Sequence, residues 1–149
     1  MTVPGAELPL EVLYVEDAEP DAELMREAFS DLELSHRLSI VRNGERALEF
    51  LRSAASLPAL VVLDLNLPLK SGYEVLQELV ADPRLCKLPV AVLTTSARPE
   101  DALALAGPMP VHFLTKPLDY LSFLEAVRVI DRLARGDAVE EAAAGDPQQ

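Results

Sequence analysis

Short apolar runs and amphipathic helical patterns take turns along this sequence, five times over. Residues 10–15 are apolar apart from Glu11. Leu38, Ile40 and Val41 form a partly alternating run, and residues 60–63, 90–93 and 111–114 complete the set. The stretch 60–63 is apolar without a break, as suits a strand covered on both faces. After the first run, Pro20 fits the opening turn of a helix in which Leu24, Met25, Ala28, Phe29 and Leu32 recur at helical spacing. Asn43-Gly44 breaks the second run, and Ala47, Leu48 and Leu51 share one face of the next helix. Gly72 opens a helix carrying Val75, Leu76, Leu79 and Val80, and a short fourth helix is expected over 99–106. Asp119 can cap a last helix, striped by Phe123, Val127, Ile130 and Ala134 and stopped at Gly136. Strict alternation of this kind predicts an α/β domain, with a parallel central sheet, helices on both faces and right-handed crossovers. Residues 1–9 read as an N-terminal extension, 10–135 as the folded domain and 136–149, rich in Ala, Glu and Asp, as a tail.

Half of the 149 residues are hydrophobic, enough for one packed core. No stretch approaches the roughly 18 uninterrupted apolar residues of a membrane span. Residues 1–9 carry no basic segment followed by an apolar run, so neither a span nor a signal peptide is expected, and a cytoplasmic location is. The single cysteine, Cys86, cannot form an internal disulfide and reads as a small packing residue rather than a catalytic thiol. The net charge of −12, from 25 acidic and 13 basic residues, repels phosphate backbones, so direct nucleic-acid binding is not expected. The same surplus raises the question of whether some of the acids converge on a cation.

Open parallel sheets bind ligands beyond the C-terminal ends of their strands. Glu16 and Asp17 follow the first run, Asp64 the third, Thr94, Thr95 and Ser96 the fourth, and Lys116 the fifth. Singly, each has an ordinary reading: a helix cap, a turn residue, a surface lysine. Together they would gather three carboxylates, hydroxyls and a lysine on one sheet edge. Three carboxylates alone raise one another's proton affinity, which a hard divalent cation relieves, and all-oxygen ligands favour Mg²⁺ or Mn²⁺. A metal and a lysine facing a carboxylate form an arrangement for phosphoryl transfer, with Asp64, on the central buried run, as the candidate nucleophile.

These residues carry a family resemblance. Glu16-Asp17, Asp64, Thr94 and Lys116-Pro117 occur in the order found in receiver domains of two-component response regulators. Asp64 lies 47 residues after Asp17, Thr94 30 after Asp64 and Lys116 22 after Thr94. The strings Leu63-Asp64-Leu65-Asn66-Leu67-Pro68 and Gly72-Tyr73-Glu74-Val75-Leu76 are similar to the family's as well. The resemblance spans about residues 10–135 and implies a flavodoxin-like (βα)5 doubly wound parallel sheet of strand order 2-1-3-4-5. It implies Asp64 as phosphoacceptor, and Mg²⁺ held by Asp17, Asp64 and the backbone carbonyl of Asn66, with Glu16 acting through water. Thr94 and Lys116 would bond the phosphoryl group, and Phe113 would be the switch aromatic. The Lys116-Pro117 peptide would be cis, and Asn66 and Ser96 would tune dephosphorylation. The strings Leu13-Tyr14-Val15-Glu16-Asp17 and Leu93-Thr94-Thr95-Ser96 further resemble small stand-alone regulators that partner phytochrome-type histidine kinases.

Two features depart from the family pattern. Gly107-Pro108-Met109-Pro110 replaces a small Gly-Ala pair before the fifth strand, and the switch aromatic, Phe113, has no hydroxyl. Both fall on the face of the fourth helix, fifth strand and fifth helix that receivers use to signal. The implied partners are a sensor histidine kinase, a histidine phosphotransfer protein and a second copy through that face, where Tyr120, Leu121 and Phe123 cannot all point inward. Two alternatives stay open. One is a pseudo-receiver that binds without being phosphorylated. The other is a haloacid-dehalogenase-type phosphatase, although that family carries a second Asp where this chain has Asn66. Neither the receiver nor the pseudo-receiver reading makes the chain an enzyme acting on an external substrate.

Overall fold

The computed structural model describes residues 10–95, 104, 106, 107 and 109–137. Strands and helices alternate as β1 (Glu11–Val15), α1 (Glu19–Asp31), β2 (Arg37–Val41), α2 (Gly44–Ser53), β3 (Leu60–Leu63), α3 (Gly72–Ala81), β4 (Val90–Thr94), β5 (Val111–Thr115) and a C-terminal helix (Tyr120–Ala134). The five strands form one parallel sheet of order β2-β1-β3-β4-β5, the doubly wound topology expected from the sequence. Of the expected fourth helix only Ala104 and Ala106 lie among the described residues, and both are helical.

Local chemistry sets the helix ends. The Asn43 side chain accepts the Arg46 N–H at 2.8 Å to start α2, and Asp119 accepts the Ser122 N–H at 2.8 Å to start the C-terminal helix. Ser71 and Glu74 form a reciprocal capping box at the start of α3. The C-terminal helix stops as the sequence suggests. Gly136 takes φ 82°, its N–H bonds the Leu133 carbonyl, and the Asp137 N–H reaches back to Arg132, which together satisfy the last turn's carbonyls.

Strand alternation divides the core in two. Leu13, Val15, Val61, Leu63, Val90 and Val92 pack beneath α2 and α3. Val12, Tyr14, Leu60, Val62, Ala91 and Leu93 pack beneath α1 and the C-terminal helix. Runs such as 60–63 are therefore wholly apolar because both faces are covered. Phe123, Val127, Ile130 and Ala134 belong to the second layer, as their spacing predicts.

One polar pair is set into that second layer. Buried His36, just ahead of β2, holds Asp131 of the C-terminal helix at 2.7 Å through Nε2, while its Nδ1 has no partner. Asp131 also accepts a bond from Arg135 Nε at 2.8 Å. Burial alone would raise the Asp131 carboxyl, but the bonds from His36 and Arg135 outweigh it and hold the group below its ordinary value. A carboxyl depressed in the folded state contributes stability above its unfolded pKa of about 4, and loses it as pH falls through the folded value. Asp131→Asn should therefore cost about 1–2 kcal/mol at pH 7 in urea unfolding. The gap to wild type should narrow progressively as the pH is lowered past the unfolded value of about 4.

Candidate functional site

The register brings the strand ends level. Val15 pairs with Leu63, Leu63 with Val92, and Thr94 with Thr115. Glu16, Asp64, Thr94 and Lys116 consequently emerge at one edge. Backbone bonds tie the segments there: Glu16 N–H to the Val41 carbonyl at 3.0 Å, and Lys116 N–H to the Thr94 carbonyl at 3.0 Å. Behind Asp64, the Gly72 N–H bonds the Leu65 carbonyl at 3.0 Å, holding the start of α3 against the acid's own backbone. A Cβ on Gly72 would stand 2.4 Å from the Asp64 carbonyl oxygen, so this close approach requires glycine.

The side chains meet at Lys116. Its Nζ lies 2.7 Å from Asp21 Oδ2, 2.8 Å from Glu16 Oε1 and 2.9 Å from Asp64 Oδ2. Glu16 is 1% exposed; the Tyr14 hydroxyl donates to its Oε1 at 3.0 Å and the Ala18 N–H to its Oε2 at 3.1 Å. Asp64 is 5% exposed, and its Oδ1 accepts the Asn66 N–H at 3.0 Å. Burial raises the Glu16 carboxyl above its ordinary value, against the pull of Lys116 and the Ala18 N–H. For Lys116, burial works against the charged form, but the bonds to Asp21, Glu16 and Asp64 outweigh it and the ammonium is held well above its ordinary pKa. Burial, then the Glu16 carboxylate, pushes the Tyr14 hydroxyl far up, so it stays a donor.

Of the residues singled out in the sequence, Glu16, Asp64 and Lys116 are in direct contact. Thr94 is buried at the adjacent strand end, and Phe113 on β5 is half-buried against the α2–α3 side of the core. Asp17 and Asn66 are exposed. Ser96 lies outside the described residues, as does Pro108 of the Gly107–Pro110 segment.

Three expectations need correction. The Lys116–Pro117 peptide is trans, since no cis peptide occurs among the described residues. Trans is the lower-energy isomer by about 0.5–1 kcal/mol before proline, and Lys116 reaches all three acids from it. Of the three acids expected to converge, Glu16 and Asp64 are bonded to Lys116 while Asp17 is exposed, and Asp21 takes the third place on the ammonium. Phe123 is not an interface residue, being 5% exposed in the core stripe. Tyr120 packs on that layer and donates to Asp31 Oδ2 at 2.5 Å, which leaves Leu121, 76% exposed, as the free apolar side chain of the three.

Sequence reasoning missed Asp21 and Tyr14. Asp21 looked like any acid in a first helical turn, where the helix dipole favours negative charge. The signal available was its place one turn after Asp17, facing the same sheet edge. Tyr14 was hidden in an apolar run, although a buried tyrosine hydroxyl needs a partner and Glu16 lies two residues on, on the same side of the strand.

A parallel sheet of this order, with a buried acid, a threonine and a lysine at its C-terminal edge, defines a receiver. The family model described as the response regulator receiver domain matches residues 12–128, and the chain belongs to that family. Response regulator Rcp1 of Synechocystis sp. is 36% identical over 128 residues, covering 83% of this chain and 87% of that protein. The crystal structure of a phosphorylated cyanobacterial phytochrome response regulator, RcpA, matches with a TM-score of 0.78 at 32% identity, covering 89% of this chain and 98% of that one. The Mn²⁺-bound form of Rcp1 matches with a TM-score of 0.72 at 34% identity, covering 83% and 93%. Family membership sets aside the dehalogenase-type phosphatase reading.

Two substitutions check this geometry. Gly72→Ala should lower stability by about 1–3 kcal/mol in urea unfolding, because backbone rather than a flexible side chain must move to admit the methyl group. Lys116→Met should cost about 1–3 kcal/mol in metal-free buffer at pH 7, by leaving buried carboxylates without their cation; the half-open site keeps this below the 3–5 kcal/mol or so of a fully buried pair.

Proposed function

We propose that the chain accepts a phosphoryl group on Asp64 from a sensor histidine kinase and changes its protein contacts in consequence. The observation that carries this is the buried Asp64 carboxylate, 2.9 Å from the Lys116 ammonium and at the strand edge shared with Thr94. One Asp64 oxygen attacks the phosphorus of a phosphohistidine. An O–P bond forms as the P–N bond breaks, and the imidazole leaves with the bonding pair. A carboxylate nucleophile needs no general base. Lys116 offsets the charge on the transferred group, and the Thr94 hydroxyl gains a charge-assisted bond to one of its oxygens.

The donor set suits a hard divalent cation. One ammonium faces three carboxylates, two of them nearly inaccessible to water, and the surplus negative charge favours a dication with oxygen ligands. Asp17, Asp64 and the Asn66 carbonyl would hold it and Glu16 would act through water, with Mg²⁺ the expected ion and Mn²⁺, which Rcp1 binds, the alternative. When bound, the ion neutralises charge developing on the phosphoryl group.

Output follows from the new charge, close to −2, at the sheet edge. Movement of Thr94 toward the phosphoryl group lets Phe113 repack, and the face made by the fourth helix, β5 and the C-terminal helix shifts between two populated states. Leu121 on that face suits contact with a second copy, and a histidine phosphotransfer protein is a further acceptor for the phosphoryl group. Asn66 and Ser96 tune its loss. The similarity to a phytochrome response regulator supports a phytochrome-type kinase as partner, and we place the pair in the cytoplasm.

Incubation with acetyl phosphate and Mg²⁺ should add about 80 Da to the wild-type chain, as expected for an aspartyl phosphate. Neither Asp64→Asn nor chelated wild type should gain it. Absence of the adduct with any divalent cation, and with a kinase as donor, would overturn the reading and leave a pseudo-receiver.

A further inference from the structure

We propose that Asp21 is a latch on Lys116, a positioning residue that holds the ammonium in the unphosphorylated chain and restrains phosphorylation of Asp64; this rests on the receiver reading above. An ammonium has three N–H donors. All three are taken here, by Asp21 at 2.7 Å, Glu16 at 2.8 Å and Asp64 at 2.9 Å. A phosphoryl oxygen arriving at Asp64 must therefore displace one of them.

The three partners are not equally free to leave. Glu16 is buried and doubly bonded, by the Tyr14 hydroxyl and the Ala18 N–H, so releasing it would strand a carboxylate away from water. Asp64 is the group that receives the phosphoryl unit and cannot withdraw. Asp21 sits in the first turn of α1 with a side chain 33% exposed, and Lys116 is its one bonded partner among the described residues. It can turn to water at little cost. The transferred group then takes over the donor that Asp21 gives up, while the O–P and P–N bonds change as already described. Asp21 and the phosphoryl oxygens compete for one proton donor. Neutralising Asp21 should favour the phosphoryl group both as it arrives and while it stays.

The experiment measures phosphorylation by acetyl phosphate with Mg²⁺, and survival of the adduct after donor removal, by intact mass. Asp21→Asn is compared with Asp21→Glu and Glu19→Gln. Glu19 lies in the same helical turn but pairs with Arg42 at 2.6 Å and Arg26 at 3.6 Å, not with Lys116. Asp21→Asn should be phosphorylated roughly 3–5-fold faster and keep the adduct longer, the upper end of what removing one partly exposed charged contact is worth. Asp21→Glu, which keeps the charge, and Glu19→Gln, which removes a nearby charge that is not on the lysine, should stay within about twofold of wild type. An unchanged or slower Asp21→Asn overturns the latch while leaving the receiver reading intact. Equal acceleration by Glu19→Gln also overturns it, since the general field of the helix would then suffice. If wild type is not phosphorylated at all, the receiver reading fails, and the latch is judged in the unphosphorylated, metal-free chain. There the Lys116 ammonium should give a slowly exchanging ¹⁵N-detected signal that Asp21→Asn abolishes, and a signal indifferent to the substitution sinks the proposal.

Discussion

The Lys116 ammonium stands between carboxylates from the end of β1, the first turn of α1 and the end of β3. Without it, acids this close would raise one another's proton affinity and drive their segments apart. With it, the edge of the sheet can bring Glu16 and Asp64 almost out of contact with water while leaving the Asp64 carboxylate beside a positive charge. A single cation shared among several acids is also an adjustable arrangement. Its donors can be reassigned to an incoming anion without any strand moving.

That reassignment is useful only because the frame is stiff. Glu16, Asp64 and Lys116 each directly follow a strand, and the strands are paired in parallel and packed on both faces. The Gly72 contact with the Asp64 backbone and the Glu16 N–H bond to Val41 close the remaining freedom behind the site. Function is thus confined to the tips, where loops and the first turn of α1 can respond, and stability is carried by the two apolar layers beneath.

The far end of the molecule is built differently. His36 and Asp131 join the approach to β2 to the C-terminal helix through one short bond in an otherwise apolar layer. The same helix turns Phe123 into the core and Leu121 out to solvent. The C-terminal helix is thus fixed on its inner face by the core and the His36–Asp131 pair, and open to solvent on its outer face.

Much of this was legible in the residues alone. The alternation of apolar runs and helical patterns determined the α/β class, because periodicity and burial are local consequences of residue order. The residues directly after each run determined Asp64, Thr94 and Lys116 as candidates, because a parallel sheet must gather its strand ends on one edge. Asp119 and Gly136 marked their helix boundaries for equally local reasons of capping and turn geometry. What the tertiary structure alone decided was which groups touch. Asp21 became a partner of Lys116, 95 residues away, while Asp17 stayed exposed. Phe123 went into the core and Leu121 out of it, and the Lys116–Pro117 bond stayed trans. Spacing along the chain carries strand order and helix faces; the choice among several acids competing for one ammonium depends on reach, burial and desolvation in three dimensions, and is made only once the chain has folded.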